Sequence, residues 1–82
     1  MFVRVPEQLS AYGSGAEVPG TTAGEALEAL FRLHPRLRER VLDDRGRLRS
    51  HLLLFVRGER ATLAEPVQPG DEVELVLAAG GG

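Results

Sequence analysis

The residues best suited to chemistry close the chain: Gly80, Gly81 and Gly82 directly follow an apolar run from Val73 to Ala79. A terminal carboxylate on residues without side chains is a group that an enzyme can reach and activate. Glycine lacks a Cβ, so such an end passes through a channel too narrow for any other residue. No set of side chains elsewhere competes. His34 and His51 stand far apart in sequence with no cysteine near either, which is not a metal-ligand spacing. Asp43-Asp44 falls in a turn beside Arg45 and reads as surface charge, and Ser10, Ser14 and Ser50 lack the context of a nucleophile elbow. Terminal glycines alone are also what a loose chain end looks like. The elements that precede them decide between the two readings.

Composition narrows the classes. The 82 residues suit one domain, 43% hydrophobic and 27% charged, with a formal net charge of -2. A chain of this size buries roughly 60–65% of the surface its unfolded form exposes, so its core must be economical. The mild negative balance gives no general attraction to nucleic acid or to anionic membranes, and neither is expected as a partner. Without cysteine there is no disulfide, no thiolate metal site and no cysteine nucleophile. The start, Met1-Phe2-Val3-Arg4, lacks the charged region and long apolar region of a signal peptide, and no apolar run approaches the roughly 20 residues that span a bilayer; a cytoplasmic location is expected. All ten basic residues are arginine. With no lysine ε-amine, the chain cannot receive an isopeptide bond from a copy of itself.

The elements follow from periodicity and punctuation. Phe2 to Val5 alternates as a strand stopped by Pro6, and Ala16-Glu17-Val18 forms a short partner ended by Pro19-Gly20. Thr22, with Glu25 three positions on, is a capping box in which the glutamate returns to the cap's own N–H. Ala26, Leu27, Leu30, Phe31 and Leu33 then make one apolar stripe of a helix. Pro35 ends that helix and opens a shorter one, with Leu37, Val41 and Leu42 inward and Arg36, Arg38, Glu39 and Arg40 toward water. Leu52 to Val56 suits a central strand with both faces covered or partly covered, followed by a tight turn at Gly58-Glu59. A last strand begins after Asp71, with Val73, Leu75 and Leu77 on one face and Glu72, Glu74 and Val76 on the other. A parallel pairing of the first and last strands closes a mixed sheet of four or five strands against one main helix. This is the two-layer α+β arrangement called a β-grasp, predicted over residues 1–79, with residues 80–82 as a glycine tail.

These residues resemble the ubiquitin-like sulfur carriers of the MoaD/ThiS type over essentially the whole chain. The resemblance rests on the capped helix from Thr22, the strand Leu52–Val56 with its turn, and Pro69-Gly70-Asp71-Glu72-Val73-Glu74-Leu75 running into Gly81-Gly82. The segment Leu37-Arg38-Glu39-Arg40-Val41-Leu42-Asp43, with Leu48 and His51, is most similar to the cysteine-forming branch. Gly80 and Leu77 depart from the residues many relatives carry there. The resemblance implies a carrier that is not itself an enzyme and binds no cofactor of its own. An E1-like adenylyltransferase would spend ATP to convert the Gly82 carboxylate to an acyl-adenylate. A sulfur donor would then leave a thiocarboxylate, delivered to a sulfur-acceptor enzyme or to the large subunit of a synthase. Gly80 and Gly81 would thread the channel. The product would be cysteine, molybdopterin or thiamine.

Two other readings use the same residues: a ubiquitin-like modifier joined through Gly82 to a lysine of another protein, and a β-grasp interaction module with an inert tail. Leu53, Phe55 and Val76 are the candidate partner surface if the far side of the sheet is open; a loop laid over that side is the alternative. Arg32, Arg36, Arg38, Arg40, Arg45, Arg47 and Arg49 crowd the middle of the chain. With Glu28, Glu39, Asp43 and Asp44 among them, they read first as a solvated face and second as a dock for an acidic partner.

Overall fold

The computed structural model describes residues 1–78. The strands are β1 (Phe2–Arg4), β2 (Ala16–Glu17), β3 (Leu52–Val56), β4 (Glu59–Arg60) and β5 (Glu72–Leu77), and the helices are α1 (Ala23–Leu33) and α2 (Arg38–Val41). They form one five-stranded sheet in the order β2-β1-β5-β3-β4. β1 and β5 are parallel, with Val3 opposite Val73, while β3 runs antiparallel to β5 with Leu54 opposite Leu75. The fold is the expected β-grasp, and it sets the last strand at the centre of the sheet.

Alternation along the strands sends Val3, Leu52, Leu54, Val56, Val73 and Leu75 to the face that α1 covers. On the helix side Ala23, Ala26, Leu27, Ala29, Leu30 and Phe31 complete the core. Fully burying each Leu contributes about 1.5–3 kcal/mol, so Leu27, Leu30, Leu54 and Leu75 are principal anchors. Leu33 corrects the expected stripe: it is 58% exposed. It is the last residue of α1, and the chain turns away at His34 toward Pro35 before a further turn could carry that position over the sheet. Leu37, Val41 and Leu42 are buried as expected.

Thr22 caps α1, its hydroxyl accepting from the Glu25 N–H at 3.1 Å. The Glu25 carboxylate, however, accepts from the N–H and hydroxyl of Thr21, at 2.8 and 2.7 Å, one residue before the cap. The expected turn at Gly58-Glu59 also lies one residue earlier. Arg57 and Gly58 both take positive φ, 54° and 81°, and Val56 pairs with Glu59 across them. Such a two-residue loop matches the twist of the flanking strands and releases Glu59 to begin β4.

Candidate functional site

The root of the tail is held on its β3 side, where Leu77 pairs with Leu52. β5 lies between β1 and β3, and its hydrogen bonding continues one residue past the strand, where the Ala78 N–H donates to the His51 carbonyl at 2.9 Å. Gly80, Gly81 and Gly82, the residues expected to react and to thread, lie outside the described residues, as does Ala79. A chain covers at most about 3.3–3.6 Å per residue, so four residues beyond Ala78 reach at most about 14 Å. Whatever the tail reaches is therefore close to the end of the sheet marked by His51 and Leu77.

Leu53, Phe55 and Val76 stand together on the face of the sheet away from α1. Leu53 is directly opposite Val76, and Phe55 opposite Glu74. All three are half-buried, and none belongs to the core cluster. Phe2 and Arg4 carry the same face across β1, where Arg4 pairs with Glu72 at 2.9 Å. The surface is thus an apolar strip interrupted by charge.

A second group gathers at the tail root from three distant parts of the chain. Gln8, Leu9 and Tyr12 from the β1–β2 connection, Glu39 and Arg40 of α2, and Arg49 and His51 before β3 line one open groove. The Arg40 and Arg36 guanidiniums lie over the Tyr12 ring, 4.2 and 5.4 Å from its centre. The connection sits this close to the helix because residue 13 is glycine. A Cβ there would stand 2.5 Å from the His34 Cβ and 2.8 Å from a Leu37 methyl. The sequence carries only a partial signal for this group: Arg36 and Arg40 are spaced to share a helix face, but nothing local announces Tyr12 as their neighbour.

The carboxylates with shifted acidity all serve turns and caps. Asp71 is held below its ordinary value by the Gln68 N–H and then by Arg57, Asp43 by the Arg47 and Arg45 N–H groups, and Glu25 by Thr21. Among the described residues no polar or charged side chain is buried, and no group of histidines and carboxylates could hold a metal ion. Desolvated, perturbed groups are the mark of a catalytic centre, and these carboxylates instead fix backbone at the surface. No helix among the described residues is long and apolar enough to cross a membrane.

The ThiS family model matches residues 9–82. The chain is 43% identical over 83 residues to Small archaeal modifier protein 1 of Haloferax volcanii, covering 100% of this chain and 95% of that protein. The crystal structure of that SAMP1 matches with a TM-score of 0.80 at 35% identity, over 99% of this chain and 97% of the other. A chain of the Amycolatopsis orientalis BexX/CysO complex shares the fold, with a TM-score of 0.86 at 22% identity over 99% and 98% of the two chains.

Proposed function

The chain belongs to the ThiS family of ubiquitin-like carriers and modifiers, and from that premise we propose that Gly82 is the residue on which it works, carrying sulfur as a C-terminal thiocarboxylate. The observation that carries this reading is the diglycine end set directly behind the central strand of the sheet. In the first step the Gly82 carboxylate oxygen attacks the α-phosphorus of ATP on an E1-like adenylyltransferase. A P–O bond forms and pyrophosphate departs. In the second step a sulfide-level sulfur nucleophile attacks the acyl carbon and AMP departs, leaving the thiocarboxylate. The carrier's part is to be recognised by its fold and to present an unhindered acyl group from a fixed root. A sulfur-acceptor enzyme or synthase large subunit then takes the sulfur for cysteine, molybdopterin or thiamine. Gly80 and Gly81 thread the channel, while Leu53, Phe55 and Val76 meet the partner.

A second reading has a specific observation in its favour: the 43% identical relative is named a modifier protein. Here the same acyl-adenylate leads to an isopeptide bond with a lysine of another protein. Both readings need activation at Gly82, and the product separates them. Intact mass of the untagged protein after incubation with ATP, sulfide and the host's E1-like enzyme is the test. The expected result is the gain for one oxygen replaced by sulfur, lost in Gly82→Ala. An unchanged mass with an active enzyme overturns the carrier reading.

A further inference from the structure

We propose that the groove beside the tail root, lined by Arg40, Arg49 and Tyr12 with Arg36 beside it over the Tyr12 ring, is a docking site for a carboxylate-bearing surface of the enzyme that adenylates the tail. The proposal rests on the reading that Gly82 is activated by such an enzyme. Its first support is an asymmetry among the arginines. Arg38 is paired with Glu28 and Arg47 with Asp43, so part of the run is a balanced surface. Arg36, Arg40 and Arg49 have no carboxylate partner among the described residues. Arg32, Arg45 and Arg60 are also without one among the described residues; what sets this place apart is that Arg40 and Arg49 line one groove with Arg36 beside it over Tyr12, where the lining carboxylate, Glu39, pairs with none of them.

The second support is preorganisation. A guanidinium over an aromatic ring keeps its in-plane N–H donors, and these match a carboxylate in a two-point contact. Arg40 and Arg36 are held this way by Tyr12. Arg49 is steadied differently, its Nε–H donating to the Glu39 carbonyl at 2.7 Å, while its terminal nitrogens have no carboxylate partner among the described residues. Side chains already placed lose less freedom when a partner binds.

Position supplies the third. His51 lines the same groove and its carbonyl takes the Ala78 N–H, so the groove lies against the base of the tail. Gly82 can be up to about 14 Å further along the chain. The arginines therefore meet the protein wall around the channel mouth, and a rim of opposite charge there steers the tail into it and fixes its approach.

The test compares wild type with Arg40→Glu/Arg49→Glu as substrates of the host's E1-like enzyme, by ATP–pyrophosphate exchange and by calorimetric binding, at low and raised salt. Arg45→Glu, an exposed reversal in the loop after α2, is the control. The docking site predicts a KM raised about tenfold with kcat unchanged, loss of most of the salt dependence of KM, and no effect of the control. An unchanged kcat also shows that the variant is folded. Wild-type turnover with an unaltered KM in the double variant overturns the docking site and leaves the activation of Gly82 standing. A wild-type chain that is bound weakly or not at all, and is never adenylated, overturns both.

Discussion

Arg57 and Asp71 meet at the end of the sheet opposite the tail, with Nη1 of one 2.7 Å from Oδ2 of the other. The same Asp71 oxygen accepts from the Gln68 N–H at 2.8 Å, and the second terminal nitrogen of Arg57 reaches Glu65 at 3.0 Å. Arg57 sits in the left-handed turn between β3 and β4, so the pair ties that hairpin to the loop that delivers β5. Register is a strict property of a strand, since a slip of one residue exchanges its two faces. Fixing where β5 starts therefore fixes which residues face out beside the tail at its other end.

This clamp makes stability depend on acid. The Asp71 carboxyl is held below its ordinary value of 3.8 in the folded chain, first by the Gln68 N–H and then by Arg57. A carboxyl with a lowered folded pKa contributes stability that is fully present above its unfolded pKa and is lost as pH falls through the folded value. Asp71→Asn is therefore expected to lower Tm by a few degrees at neutral pH, with the difference from wild type closing as pH falls below about 4. Thermal melts across that range check it; a gap that stays constant as pH falls contradicts the assignment.

Gly13→Ala probes how the β1–β2 connection is seated. Its Cβ would meet the Cβ of His34 at 2.5 Å and a Leu37 methyl at 2.8 Å. Leu37 is fully buried and a Cβ cannot swing aside, so the connection must lift. Overpacking of this kind costs about 1–3 kcal/mol. Urea unfolding gives the loss, and the NMR shifts of the Tyr12 ring report whether its arginine neighbours have moved away. Full stability with an unmoved ring contradicts the close approach.

What was legible in the sequence was what is local. Thr22 and Glu25 announce the start of α1, Pro35 its end, and alternation in Val73 to Leu77 the two faces of β5. Errors of one position arose where neighbouring residues compete for the same role. Thr21 offers Glu25 a hydroxyl as well as an N–H, and Arg57 adopts a left-handed conformation that usually belongs to Gly or Asn. Leu33 continued the helical period but the helix stopped there, and periodicity alone does not say where the sheet beneath ends. The Tyr12–Arg40 contact was not legible, because it joins segments separated by β2 and α1 and leaves no pattern in either.

The absence of lysine bears on the modifier reading. A conjugate formed through Gly82 onto a target with a single reactive lysine is expected to stop at one addition. The attached copy presents no ε-amine to the next. Gel shift and intact mass of the target after reaction check this. A ladder at one target lysine would show that the chain offers another acceptor.

Leu53 and Leu54 are neighbours on β3 that face opposite sides of the sheet, and substituting each in turn tests whether the outer face serves recognition. Leu54 is 1% exposed in the core, opposite Leu75, and Leu54→Ala is expected to cost about 2–5 kcal/mol through lost burial and the cavity left behind. Leu53 stands half-buried on the outer face opposite Val76, where one cross-strand pair contributes roughly 0.2–1 kcal/mol. Leu53→Ala, alone and with Phe55→Ala, should therefore leave the urea midpoint close to wild type while raising KM for the E1-like enzyme several-fold. Leu54→Ala should lower the midpoint and, at temperatures where it stays folded, leave KM near wild type. If the outer-face substitutions leave KM unchanged, Leu53, Phe55 and Val76 are only a half-exposed sheet surface, and recognition rests on the tail and its root.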